Sequence, residues 1–122
     1  MKDRYCYWSV VDGAYSTMMQ AVVDSARRVG VFKDFHIWSD EPVRGAVSHP
    51  LDPDFDKTLY LFKLRFLRDE VSRLDYDYFV WLDADCYFVR DPGDLLRLMQ
   101  GSPVHSSLES DACCAKNIRP EW

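Results

Sequence analysis

The stretch Tyr76-Asp77-Tyr78-Phe79-Val80-Trp81-Leu82-Asp83-Ala84-Asp85-Cys86-Tyr87-Phe88-Val89-Arg90-Asp91-Pro92 decides how the chain is read. From Tyr78 to Leu82 apolar and aromatic residues follow one another without alternation, the pattern of a strand covered on both faces of a parallel sheet. The run ends in two carboxylates. Side chains alternate along an extended backbone, which predicts Asp83 and Asp85 on one side and the small Ala84 on the other. Carboxylates that close repel, so either one keeps its proton or both recruit a cation. At a strand end open to water, a hard divalent ion, Mn²⁺ or Mg²⁺, is the expected answer.

Upstream, Tyr5 to Val11 has the aromatic and β-branched composition of a strand and stops at Asp12-Gly13. Met18, Met19, Val22, Val23, Ala26 and Val29 then recur at helical spacing, with Ser16 as expected N-cap and Gly30 as C-terminal stop. Phe35 to Ser39 reads as a second strand, and Gly45 to Ser48 as a third at an edge. A loop from His49 to Asp56 leads into a long helix, whose face against the sheet is read as Leu64, Leu67, Val71 and Leu74, with Phe62 and Phe66 alongside. Downstream, Asp91-Pro92 caps a short helix carrying Leu95, Leu96, Leu98 and Met99 and closed by Gly101. Val104 to Leu108 reads as a further strand, and residues 109–122 as a loosely ordered tail. Strands alternating with helices predict an α/β fold: a Rossmann-like open, mostly parallel sheet with helices on both faces.

The 122 residues fit a single domain, and an apolar share of 48% provides a core. Fifteen basic against 20 acidic residues give a net charge of −5, which argues against a general nucleic-acid binder. An anionic ligand must therefore be met locally, and a metal bridging a diphosphate to the carboxylates is one way to do it. Cys6, Cys86, Cys113 and Cys114 form no C-x-x-C pair, so reduced thiols are expected and zinc is not. The start of the chain resembles neither a signal peptide nor a membrane span, and a cytoplasmic location is expected.

In open parallel sheets ligands bind beyond the carboxyl ends of the strands. The first strand delivers Val10, Val11, Asp12, Gly13 and Tyr15 there. Asp12 is suited to accept hydrogen bonds from a base or ribose, Tyr15 to stack on a base, and Gly13 to allow close backbone approach. Lys63 stands among Leu59, Tyr60, Phe66 and Leu67. Its ammonium either snorkels to water or meets an anion. His36 is read as a strand side chain and His49 as a loop residue. His105, Glu109 and Asp111 are lesser candidates, the first for a metal and the other two for an acceptor.

Leu82-Asp83-Ala84-Asp85, followed by apolar Cys86 to Val89 and then Asp91-Pro92, resembles the DxD region of nucleotide-sugar-dependent glycosyltransferases of the GT-A fold. Asp12 and Tyr15 have the spacing of the first loop in the family that includes glycogenin and the lipooligosaccharide galactosyltransferases, where an Asp and a Tyr frame the uridine. The resemblance implies a nucleoside-diphosphate sugar as donor, UDP-sugar favoured, with an unspecified glycan or other acceptor. It implies that Asp85 binds the metal, that Asp83 helps through the ribose or the metal, and that Ala84 lies between them at the nucleotide. Lys63 falls where such enzymes place a donor-contacting Lys or Arg, with Arg65 as the fallback. Family members are longer, so the resemblance implies the truncated, donor-binding half of such an enzyme. Two alternatives stand beside it. Phosphohydrolases with an Asp-x-Asp after an apolar strand carry it on the first strand, followed by Gly-Thr, where this chain has Cys86-Tyr87. A non-catalytic nucleotide- or metal-binding module is the other.

Overall fold

Tyr5–Val11 forms β1, Phe35–Ser39 β2, Val47–Pro50 β3 and Tyr78–Trp81 β4, the four strands of one sheet in a computed structural model that describes residues 4–52, 54–55 and 62–98. The strands run parallel in the order β3-β2-β1-β4. After β1 the chain builds outward through β2 to β3, then returns to place β4 on the other side of β1. The strand order thus reverses between β1 and β4, the kind of crevice in which open α/β sheets bind ligands.

Parallel pairing fixes which residues share a face. Trp8 pairs with Trp81 and Val10 with Trp38, so these side chains stand on one face; Tyr7 pairs with Phe35 and Val80, and Ser9 with Ile37, on the other. Helix α1 (Ala14–Arg28) covers the second face: its Arg27 guanidinium lies 5.1 Å from the Phe35 ring centroid, and its Ser25 hydroxyl accepts the Phe88 N–H at 2.8 Å. Phe88 in turn meets Tyr7 edge-on, 5.2 Å between centroids. Helix α2 (Phe62–Asp69) and the 3₁₀ turn Val71–Arg73 cover the first face, where Phe62, Phe66 and Leu74 pack around Trp8, Val10, Trp38 and Val71. Each fully buried side chain of this size stabilises the fold by roughly 1.5–3 kcal/mol. The expected open parallel sheet, with helices on both faces, is present.

Helix α1 starts earlier than the sequence suggests. Its N-cap is Gly13, at φ 56°, and no side chain caps it. Ser16 is not the cap but lies inside the helix, buried, with its hydroxyl on Asp40. The C-terminal stop is as expected: Gly30 at φ 85° sends its N–H to Arg27 and the next N–H, of Val31, to Ala26, which satisfies two helix-end carbonyls.

Three further readings change. The edge strand begins two residues late, at Val47, so His49 is a strand residue and not a loop residue. Leu64 and Leu67 do not face the sheet; Leu64 is 60% exposed, while Phe62 and Phe66 are packed. A stripe from Leu64 to Leu74 requires one uninterrupted helix, and the change to a 3₁₀ turn after Glu70 shifts the phase. Lastly, β4 is half-buried along its length rather than fully covered.

The chain divides into two compact units, Met1–Pro92 and Gly93–Trp122. Everything above belongs to the first. In the second, α3 (Gly93–Leu98) carries an Asp94–Arg97 ion pair at 2.7 Å. Met99, Gly101, the expected strand at Val104–Leu108, the tail 109–122 and with them His105, Glu109, Asp111, Cys113 and Cys114 lie outside the described residues. Among the described residues no helix is long and apolar enough to cross a membrane.

Candidate functional site at the carboxyl edge of the sheet

Three adjacent strands deliver carboxylates at the same edge. Val11 of β1 pairs with Ser39 of β2, so Asp12 and Asp40 leave the sheet at the same level. Next to them β4 runs into Leu82, which is fastened to β1 from both sides. Its N–H donates to the Trp8 carbonyl at 3.1 Å, and its carbonyl accepts the buried Ser9 hydroxyl at 2.7 Å. Asp83 therefore starts from a fixed point.

Beyond it the backbone is not extended. Ala84 and Asp85 form a turn closed by the Cys86 N–H on the Asp83 carbonyl at 3.4 Å, which the Cys86 thiol also approaches at 2.8 Å. Strand alternation, the reason given above for placing both carboxylates on one side, does not apply at Ala84. Burial raises the pKa of the Cys86 thiol, and the negative charges of Asp83 and Asp85 raise it further. Both effects favour the thiol over the thiolate at Cys86.

Asp83 is held by two groups. The Trp81 indole N–H donates to its Oδ1 at 2.7 Å, and the Lys63 ammonium stands 3.6 Å from the same oxygen. Lys63 also lies over the Trp81 ring, 4.5 Å from its centroid, within the range of a cation–π contact. The Lys63 ammonium thus meets an anion, the Asp83 carboxylate, while its side chain remains half-exposed to water. Arg65 acts on a different carboxylate, that of Asp69 one turn further along α2. Asp85 is exposed, and no described side chain pairs with it. Trp81, which the sequence did not single out, is a further side chain at this strand end, touching both Asp83 and Lys63.

On the β1 side, Val10 and Val11 are buried, on opposite faces of the sheet, so what they can offer a ligand is backbone. The turn after them is closed by the Tyr15 N–H on the Asp12 carbonyl at 3.1 Å, which leaves the Tyr15 ring 48% exposed. Asp40 fixes this turn, accepting the Gly13 N–H at 2.9 Å and the Ser16 hydroxyl at 2.8 Å. Those two hydrogen bonds hold its carboxyl below the ordinary carboxylate pKa.

Asp83 and Asp85 are hard oxygen donors of the kind Mg²⁺ and Mn²⁺ prefer. Among the described residues no third His, Cys, Asp or Glu joins them in a cluster, so water and ligand oxygens would complete the coordination sphere. Comparison with known protein families, with curated proteins and with solved structures gives no match.

Proposed function

We propose that the chain is the donor-binding part of a glycosyltransferase of the GT-A type, taking a nucleoside-diphosphate sugar, UDP-sugar first, with a divalent metal at Asp83 and Asp85. The observation that carries the reading is the placement of Asp12 and the Asp83–Asp85 pair at the carboxyl ends of β1 and β4, the two strands that flank the reversal of strand order. The base and ribose belong at Asp12 and Tyr15, and the diphosphate at the end of β4. A divalent metal held by Asp83 and Asp85 would supply charge neutralisation for the departing nucleoside diphosphate. The chain's own contribution is Lys63, whose ammonium is already at the site and can move from the Asp83 carboxylate to a phosphate oxygen. A cation held close to the point where negative charge develops is among the larger catalytic effects.

Calorimetry of UDP binding in the presence of Mn²⁺, repeated after chelation, tests the reading. Binding is expected with the metal and lost without it, and equal affinity in both conditions removes the metal from the account. Release of UDP from a UDP-sugar, measured in parallel, separates a transferase from a non-catalytic binding module.

A further inference from the structure

We infer that Trp81 is a positioning residue of this site, setting Lys63 and Asp83 relative to each other through the two ends of one indole ring. The N–H edge grips Asp83 Oδ1 at 2.7 Å, and the ring face carries the Lys63 ammonium at 4.5 Å. Without such a platform the pair would have little reason to keep its geometry. The Lys63 and Asp83 side chains are 48% and 62% exposed, and their 3.6 Å contact is a surface ion pair of the kind that adds little stability in water. A lysine carries considerable rotamer freedom, which an exposed partner does not remove.

The ring itself is anchored. Trp81 pairs with Trp8 across β4 and β1, and their rings meet edge-on at 4.7 Å between centroids. Phe62, next to Lys63 on α2, also meets the Trp81 ring edge-on, 6.3 Å between centroids. Trp81 thus joins the helix that supplies the cation to the strand that supplies the carboxylate. A tryptophan is needed because no other aromatic side chain combines an apolar body of this size, a π-face for a cation and an N–H that only donates.

The consequence for ligand binding rests on the diphosphate reading above. Trp81→Phe keeps a ring over the core and under Lys63 but removes the donor to Asp83. With Mn²⁺ present, this variant is expected to bind UDP about tenfold more weakly, the loss of one hydrogen bond to a charged group, and uridine unchanged. In the Lys63→Met background the same substitution is expected to weaken UDP less than it does alone, because both act on one arrangement. Wild-type affinity in Trp81→Phe, or a full additive loss in the double variant, overturns the inference. A wild-type protein that ignores UDP and Mn²⁺ altogether sinks the diphosphate reading instead. The positioning role is then read without ligand, from the indole N–H resonance of Trp81, identified by its absence in Trp81→Phe or, if that variant does not fold, in Trp81→His. Asp83→Ala should move this resonance upfield and speed its exchange with water; a resonance that does neither overturns the inference.

Discussion

The Asp40 carboxylate accepts the Gly13 N–H at 2.9 Å and so occupies the start of α1, the place where many nucleotide-binding α/β proteins seat a phosphate. A phosphate arriving there would meet a negative charge already satisfied by backbone and Ser16. On the proposed reading, diphosphate binding therefore depends on the end of β4, where Lys63, Asp83 and Asp85 stand.

Replacing Asp40 tests that division. Asp40→Ala frees the Gly13 N–H and the Ser16 hydroxyl, so the Gly13 amide should exchange faster while the amides of β1 keep their protection. Because the two hydrogen bonds lower the carboxyl's pKa in the folded state, the stabilisation from Asp40 is present above the ordinary carboxylate range. It is lost as pH falls through the lowered value. Hydrogen exchange followed by NMR in wild type and variant checks both statements; a Gly13 amide equally protected in the two would detach Asp40 from the turn.

Much of the fold was legible because strand signals were local. Tyr5 to Val11 and Phe35 to Ser39 have the same bounds in sequence and structure, each being a short run rich in β-branched and aromatic residues and followed by a carboxylate. The phase of α2 was not legible, since it depends on where Phe62 and Phe66 meet Trp8 and Trp38 across the sheet, a long-range match that periodicity does not contain. The ends of the motif were half legible. The sequence singled out Asp83, Asp85 and Lys63 as candidates, but not the turn at Ala84 and not the indole that touches both the lysine and Asp83. The first is a backbone turn and the second a set of side-chain contacts, and a one-dimensional pattern leaves both open.

The corrected phase of α2 makes a direct prediction. Val71 is fully buried among Trp8, Val10 and Trp38, whereas Leu64 is exposed. Val71→Ala should destabilise the domain by about 1–3 kcal/mol through lost burial and a residual cavity, and Leu64→Gln should stay within about 0.5 kcal/mol of wild type. Urea unfolding of both variants decides it, and a larger loss at Leu64 would restore the face read from the sequence.

A chain of polar contacts on the α2 side of the sheet predicts acid sensitivity. Tyr76 donates to Asp34 at 2.6 Å, so its oxygen accepts from His36 Nε2 at 3.0 Å, and His36 Nδ1 accepts from His49 Nε2 at 2.9 Å. These proton positions are assigned from the direction of the chain. The charged groups facing it are Asp34, Glu70 near His49, and Arg4 over the Tyr76 ring. Burial lowers both histidine pKa values, and for His36 the neighbouring His49 lowers it further; Asp34 and Glu70 act the other way. Below the ordinary histidine value the unfolded chain takes up protons that the folded chain resists. Stability should thus be full above about pH 6.5 and fall as pH drops through the lowered values. His49→Gln keeps a donor to His36 Nδ1 but cannot titrate, so its stability should fall less between pH 7 and pH 5. An unchanged pH slope in this variant would remove the pair from acid unfolding.

The two carboxylates of the motif should not contribute equally to metal binding. Asp83 Oδ1 already receives the Trp81 N–H and faces Lys63, so a cation approaching that oxygen must displace the ammonium or use Oδ2. Asp85 projects from the turn with no described partner, and a divalent ion reaches it without breaking a contact. Asp85→Asn should therefore weaken Mn²⁺ binding by more than roughly tenfold, a loss seen even when an outer-sphere partner is removed. Asp83→Asn should weaken it less, because it also releases Lys63 from its position. Neither substitution should alter thermal stability much, both side chains being exposed and outside the core. Titration of the Mn²⁺ electron paramagnetic resonance signal against each variant gives the ranking. Undiminished Mn²⁺ binding in the double variant Asp83→Asn, Asp85→Asn would show that the strand end does not hold the metal at all.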